Sequence, residues 1–198
     1  MRYLPTIPRT ARRIIAVIAA ASSAGLIAAT VTSSSGAALA SDTARTTAAA
    51  VPACAAADLG VWVAVSQSDG AAGSIFYPLQ FTNLSRHACA MRGFPGVSAI
   101  DRNGHQLGSP AGWDHTRPVR TVVLAAGATA HAVLRYGDVE VATAPGCHPV
   151  SSMFELRVYP PNQRQATFAA FSTEACSHTG PVYLDVTPLQ AGVGTRNG

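Results

Sequence analysis

The sequence predicts an all-β domain, a sandwich stapled by two disulfides, carried behind an N-terminal export leader. Three observations support this. Short runs of β-branched and aromatic residues recur at close intervals with turn residues between them, no long amphipathic helical period is present, and the cysteines are even in number, at Cys54, Cys89, Cys147 and Cys176. With no helix to cover a sheet, two sheets have to cover each other.

The first run, "LGVWVAVS", has the composition of a strand, and its Trp62 is expected in the core. In "SIFYPLQFT" the residues Ile75, Tyr77, Leu79 and Phe81 fall on one face. Pro78, on the other face, has no amide donor and points to a sheet edge or a bulge. Asn103-Gly104 between two short extended runs is a strong hairpin signal. "VRTVVLAAGATAHAVLRYG" reads as two strands joined at Ala125, Ala126 and Gly127, "FELRVYPP" alternates until Pro160 and Pro161 stop it, and "ATFAAFS" and "PVYLDVTPL" complete the series. Eight or nine antiparallel strands at this spacing suit an immunoglobulin-like sandwich.

Ahead of this domain stands a leader with three parts. Arg2, Arg9, Arg12 and Arg13 form a cationic start, an uncharged apolar run covers 14–31, and Ala38-Leu39-Ala40 supplies small residues for cleavage. Residues 1–40 are therefore expected to be a signal peptide. The alternative is a retained anchor, since the run approaches the length that spans a bilayer, but Ser22, Ser23 and Gly25 interrupt it. Arg12-Arg13 also raises twin-arginine export, which the following residues match poorly. Residues 41–51 are small and polar and read as a flexible linker, 52–190 as the sandwich domain, and 191–198 as a disordered tail.

Four of the fourteen basic residues lie in the leader, together with none of the ten acids, and no lysine occurs anywhere. Without the leader the chain balances ten arginines against ten acids. The basic character that would suggest nucleic acid or an anionic membrane as partner is thereby lost. In an exported chain the four cysteines are expected as disulfides. Three connectivities are possible, and the two short closures, Cys54 with Cys89 and Cys147 with Cys176, are preferred.

Candidate chemistry is sparse. His87, Cys89 and Met91 alternate as a metal-binding strand would, but such a site needs Cys89 as a free thiolate; a structural strand is the better reading. Asn83-Leu84-Ser85 matches a glycosylation sequon and is read instead as a turn held by the Asn side chain. If Cys147 joins Cys176, His148 and His178 come close enough for a weak two-histidine metal site, with Glu174 the one carboxylate nearby. The loop "AGWDHTRP" places Trp113, Asp114, His115 and Arg117 between two strands. It is either a binding patch, stacking on a sugar ring or packing on a protein, or a loop folded over the sandwich edge. No nucleophile elbow, zinc-protease motif or phosphate loop is present, and Glu140, Glu155 and Glu174 are the only glutamates. No cofactor is expected.

The series Thr82-Asn83, Cys89, Gly93 and Phe94-Pro95-Gly96-Val97, followed by Val158-Tyr159-Pro160-Pro161 and a last cysteine before the final strand, resembles the actinobacterial secreted family called domain of unknown function 4232. The resemblance runs from Cys54 to Leu189. It implies an exported immunoglobulin-like domain, often behind a lipid anchor or low-complexity linker, and it implies no activity. It also implies that Met91 fills core, because the family carries a branched apolar residue there. "VPAC" is a poor lipobox, so a lipid anchor is not expected. The expected function is a secreted or envelope-associated, non-catalytic binding module for an extracellular protein or glycan, without membrane insertion once the signal is cleaved. The alternatives are a small hydrolase, with a histidine beside serine or aspartate in a cleft, and a purely structural envelope domain.

Overall fold

The computed structural model describes residues 50–137, 147–150 and 153–196, all within the unit Thr47–Gly198. The expected signal peptide and all of the linker but Ala50 and Val51 lie outside the described residues, as does Glu140. In chain order the strands are β1 (Leu59–Val63), β2 (Asp69–Ala71), β3 (Ser74–Asn83), β4 (Cys89–Arg92), β5 (Gly96–Ile100), β6 (Gln106–Leu107), β7 (Gly112–Trp113) and β8 (Thr121–Leu124). They continue with β9 (Thr129–Gly137), β10 (Pro149–Val150), β11 (Glu155–Tyr159), β12 (Thr167–Ala170), β13 (Ala175–Cys176), β14 (Leu184–Val186) and β15 (Gln190–Ala191). Among the described residues helix is limited to two 3-10 turns, Ala56–Asp58 and Val65–Gln67.

The fold is all-β and sandwich-like. The larger sheet has the order β1-β3-β9-β14-β7, with β2 also on β3 and β15 also on β9; the smaller has the order β12-β11-β5-β6. Two short ladders, β4 with β8 and β10 with β13, complete it. The ladders are antiparallel except β14 with β7, which is parallel and departs from the antiparallel expectation. More strands form than the eight or nine expected, because β2, β6, β7, β10, β13 and β15 are pairings of two or three residues, too short to show periodicity.

Register explains the core. Phe81 lies opposite Ala130 and Leu79 opposite Ala132, so each large side chain of β3 meets a small one of β9, and all four are fully buried. In the second sheet Leu156 stands between Ala99 and Ala169 in the same way. Alternating large and small residues let the layers interdigitate without voids, and each buried Leu or Phe contributes about 1.5–3 kcal/mol. Tyr77 of β3 meets Phe171, which follows β12, edge-on at 4.8 Å, joining the two layers.

Pro78 corrects one expectation. It is neither at an edge nor in a bulge but in the middle of β3, opposite Val133. Val133 spends its amide on Thr187 Oγ1 and its carbonyl on the Thr187 amide, so nothing on β9 asks Pro78 for a donor. On its other side β1 ends opposite Leu79 and β2 begins opposite Phe76, and the intervening chain leaves as a 3-10 turn. The missing N–H falls in that gap, and only the Pro78 carbonyl is used, by the Ala64 amide.

Both disulfides take the preferred pairing, Cys54 with Cys89 and Cys147 with Cys176. The hairpin at Asn103-Gly104 forms as expected between β5 and β6, with Gly104 at φ +80° and Asp101 accepting the Asn103 and His105 amides. The two strands around residues 125–127 also form, but β8 pairs with β4 and β9 with β3, so the turn carries the chain between ladders. Trp62, expected in the core, is 43% exposed, because its register partner Gln80 belongs to the outer face of β3.

The tail is a second correction. As far as Arg196 it is described, and it docks on the larger sheet where disorder was expected. Gly192 donates its amide to the Thr129 carbonyl, and its own carbonyl accepts from His131 Nδ1 at 2.9 Å. Gln80 Nε2 donates to the Gly194 carbonyl (2.7 Å), and the Gly194 amide donates back to Gln80 Oε1 (3.2 Å). Glycine is required at 194, since a Cβ there would lie 2.7 Å from the His131 ring and 2.9 Å from Pro78. Residues 197 and 198 lie outside the described residues.

Candidate functional site

The loop carrying Trp113, Asp114, His115 and Arg117 leaves β7, which is short because Gly112 and Trp113 pair only with Asp185 and Val186. The Asp114 amide extends the contact by donating to the Val186 carbonyl. The Asp114 carboxylate then turns the chain by accepting the Thr116 amide at 2.8 Å. That bond, together with one from the Thr116 hydroxyl, holds the Asp114 carboxyl below the usual carboxylate range.

This geometry sets Trp113 parallel to Phe94, with centroids 5.2 Å apart and planes 10° from parallel. His115 tilts onto the same Phe94 ring at 4.8 Å. Trp113 nevertheless stays 58% exposed, and His115 is exposed as well. The two readings of the loop thus combine: Trp113 rests on the sandwich edge and still presents much of its surface to solvent. Phe94 is the partner the sequence did not suggest. It stands in the turn between β4 and β5.

Arg117 lies at the centre of the surrounding relief. Its Nη1 donates to Gln190 Oε1 at 2.7 Å, fixing the amide orientation of that β15 residue. Three depressions share Arg117. One of about 490 Å³ includes Arg120, Thr121, Leu189 and Gln190; one of about 420 Å³ includes Asp69, Tyr77 and Arg196; one of about 140 Å³ includes the Arg135–Asp185 ion pair, at 2.7 Å. Gln190 Nε2 is closed off from solvent and has no acceptor. The tail that sequence reading left out of the domain therefore supplies walls to two of the three.

The other candidates are placed as follows. His87 lies in an exposed bend before β4, Cys89 is in a disulfide, and Met91 is buried. Those three residues share no site. Asn83 is fully buried, and its side chain holds the turn, as expected. The rings of His148 and His178 are brought together beside the Cys147–Cys176 bridge, 6.5 Å between centroids and 76° between planes. Glu174 does not join them, and among the described residues no group of three or more histidine, cysteine, aspartate or glutamate side chains is arranged to hold a metal ion. His105 Nδ1 meets Asp101 Oδ2 at 3.3 Å on the exposed β5–β6 turn.

Against known proteins, a family model described as Domain of unknown function (DUF4232) matches residues 54–190. No curated protein and no solved structure matches. Among the described residues no helix is long and apolar enough to cross a membrane.

Proposed function

From the premise that the chain belongs to the DUF4232 family, whose description assigns no activity, we propose that it is an exported, non-catalytic binding module for an extracellular glycan or protein. The contact surface is the ring cluster of Trp113, His115 and Phe94 with the adjoining Arg117. The observation that carries the reading is Trp113, stacked flat on Phe94 and still 58% exposed. A large ring held in place by a neighbour pays little ordering entropy when a ligand covers it, which is what a binding anchor requires. Export is supported by the two disulfides, which persist in oxidising compartments, and by the leader pattern.

A purely structural envelope domain has no need of depressions of about 490 and 420 Å³ beside an exposed aromatic cluster. A hydrolase would draw on a histidine and a carboxylate beside a nucleophile. The His105–Asp101 pair is committed to a hairpin turn, with Asp101 also accepting two backbone amides. The test is a glycan and peptide array probed with the protein and with Trp113→Ala. Signals are expected to fall about tenfold or more in the variant, the loss that follows removal of an anchor worth about 2 kcal/mol. Signals that are equal for both proteins overturn the proposal.

A further inference from the structure

The depression of about 490 Å³ has a chemical polarity of its own. It is walled by Arg117 and Arg120, and among the described residues no carboxylate lines it. Gln190 accepts one Arg117 donor on its Oε1 and holds that guanidinium at the wall, while its own Nε2 is closed off from solvent. Arg120 makes no hydrogen bond among the described residues. Two guanidiniums on a wall without a carboxylate call for clustered anionic oxygens, the acceptors that arginine binds best.

The depression is joined to the aromatic cluster by two short links. Gly93, next to Phe94, accepts the amide of Leu189 at 3.0 Å, and Leu189 lines the depression. His115 and Arg117 are two positions apart on one loop. Resting on the binding-module reading above, we infer that the ligand is an acidic saccharide. Its carboxylate or phosphate oxygens sit between Arg117 and Arg120, and a sugar ring stacks on Trp113. The volume, about 490 Å³, suits one or two sugar units.

The experiment is calorimetric titration of the exported protein with trigalacturonate, with a disaccharide phosphate and with neutral galactotriose. At least one charged probe is expected to bind about tenfold or more tightly than galactotriose, by an advantage that shrinks as salt is raised. Whichever charged probe binds identifies the source of the oxygens. Arg120→Gln should lower the charged-to-neutral ratio by about tenfold with no change in thermal midpoint, and Trp113→Ala should weaken both kinds of probe. Equal affinities for charged and neutral probes, or a ratio untouched by Arg120→Gln, overturn the inference. In that case Trp113-dependent binding of galactotriose, or of peptides on the array, leaves the module reading standing. Loss of Trp113 dependence everywhere overturns both.

Discussion

Asn83 closes β3 and organises three pieces of chain at once. Its Nδ2 donates to the carbonyls of His87, Leu124 and Ala125 at 2.8–3.2 Å, while Oδ1 accepts the amide and hydroxyl of Ser85. Replacing it by alanine removes the donors and leaves buried carbonyls unpaired. Asn83→Ala is expected to cost about 3 kcal/mol, read as a lower urea midpoint with an unchanged slope. The local half of this role was legible in the sequence, because an Asx turn is made with residues two positions on. Its reach to Leu124 and Ala125 was not, since β8 arrives by a pairing that no short-range signal encodes. The same limit applies to the tryptophans. Alternation tells which residues of a strand share a face, not which face is inward, so Trp62 was placed in the core while its parity with Gln80 sets it on the outer face. For Trp113 the loop was legible and its partner Phe94 was not.

At the scale of elements, the long strands announced themselves and the short ones did not. β3, β9 and β11 carry enough residues to show alternation; β7 and β15, which frame the candidate site, have two each. Such pairs form because tertiary neighbours present free backbone groups, a cause that lies outside the segment itself. The disulfides were legible from count and spacing, and each reinforces a backbone pairing: Cys54 also donates its amide to the Ala90 carbonyl, and β10 and β13 form a ladder. Cys54 sits ahead of β1 and is tied to β4, and Cys147 precedes β10 and is tied to β13. The loops span 35 and 29 positions. Chain entropy then predicts that replacing either pair with serine lowers stability by about 3.5–4 kcal/mol in denaturant titrations. Non-reducing peptide mapping should recover both linkages, and a crossed linkage would refute the assignment.

For the whole molecule, the C-terminal residues are part of the architecture. Residues 190–194 cover Gln80 and His131 on the outer face of the larger sheet and wall the depression beside Arg117. From residue 191 onward the chain is small and aperiodic and carries no local signal of its docking; what holds it is the β9 pairing, His131 and Gln80, the last 114 positions from Gly194. A chain ending at Leu189 loses several hydrogen bonds and the β15 pairing. It should be less stable by about 3 kcal/mol, seen by calorimetry as a midpoint lower by roughly 10 °C, and its charged-ligand preference should weaken, since Gln190 no longer holds Arg117. The central ladder has a similar span. β3 meets β9 across an interval whose shortest rung, Thr82 with Thr129, already separates residues by 47 positions. Pairings that distant wait on large loop closures, so folding is slow compared with a protein of local contacts. For a chain delivered N-terminus first, β3 emerges long before its partner, and an exposed, apolar strand has to be kept from pairing with other copies until β9 and then the last few residues follow.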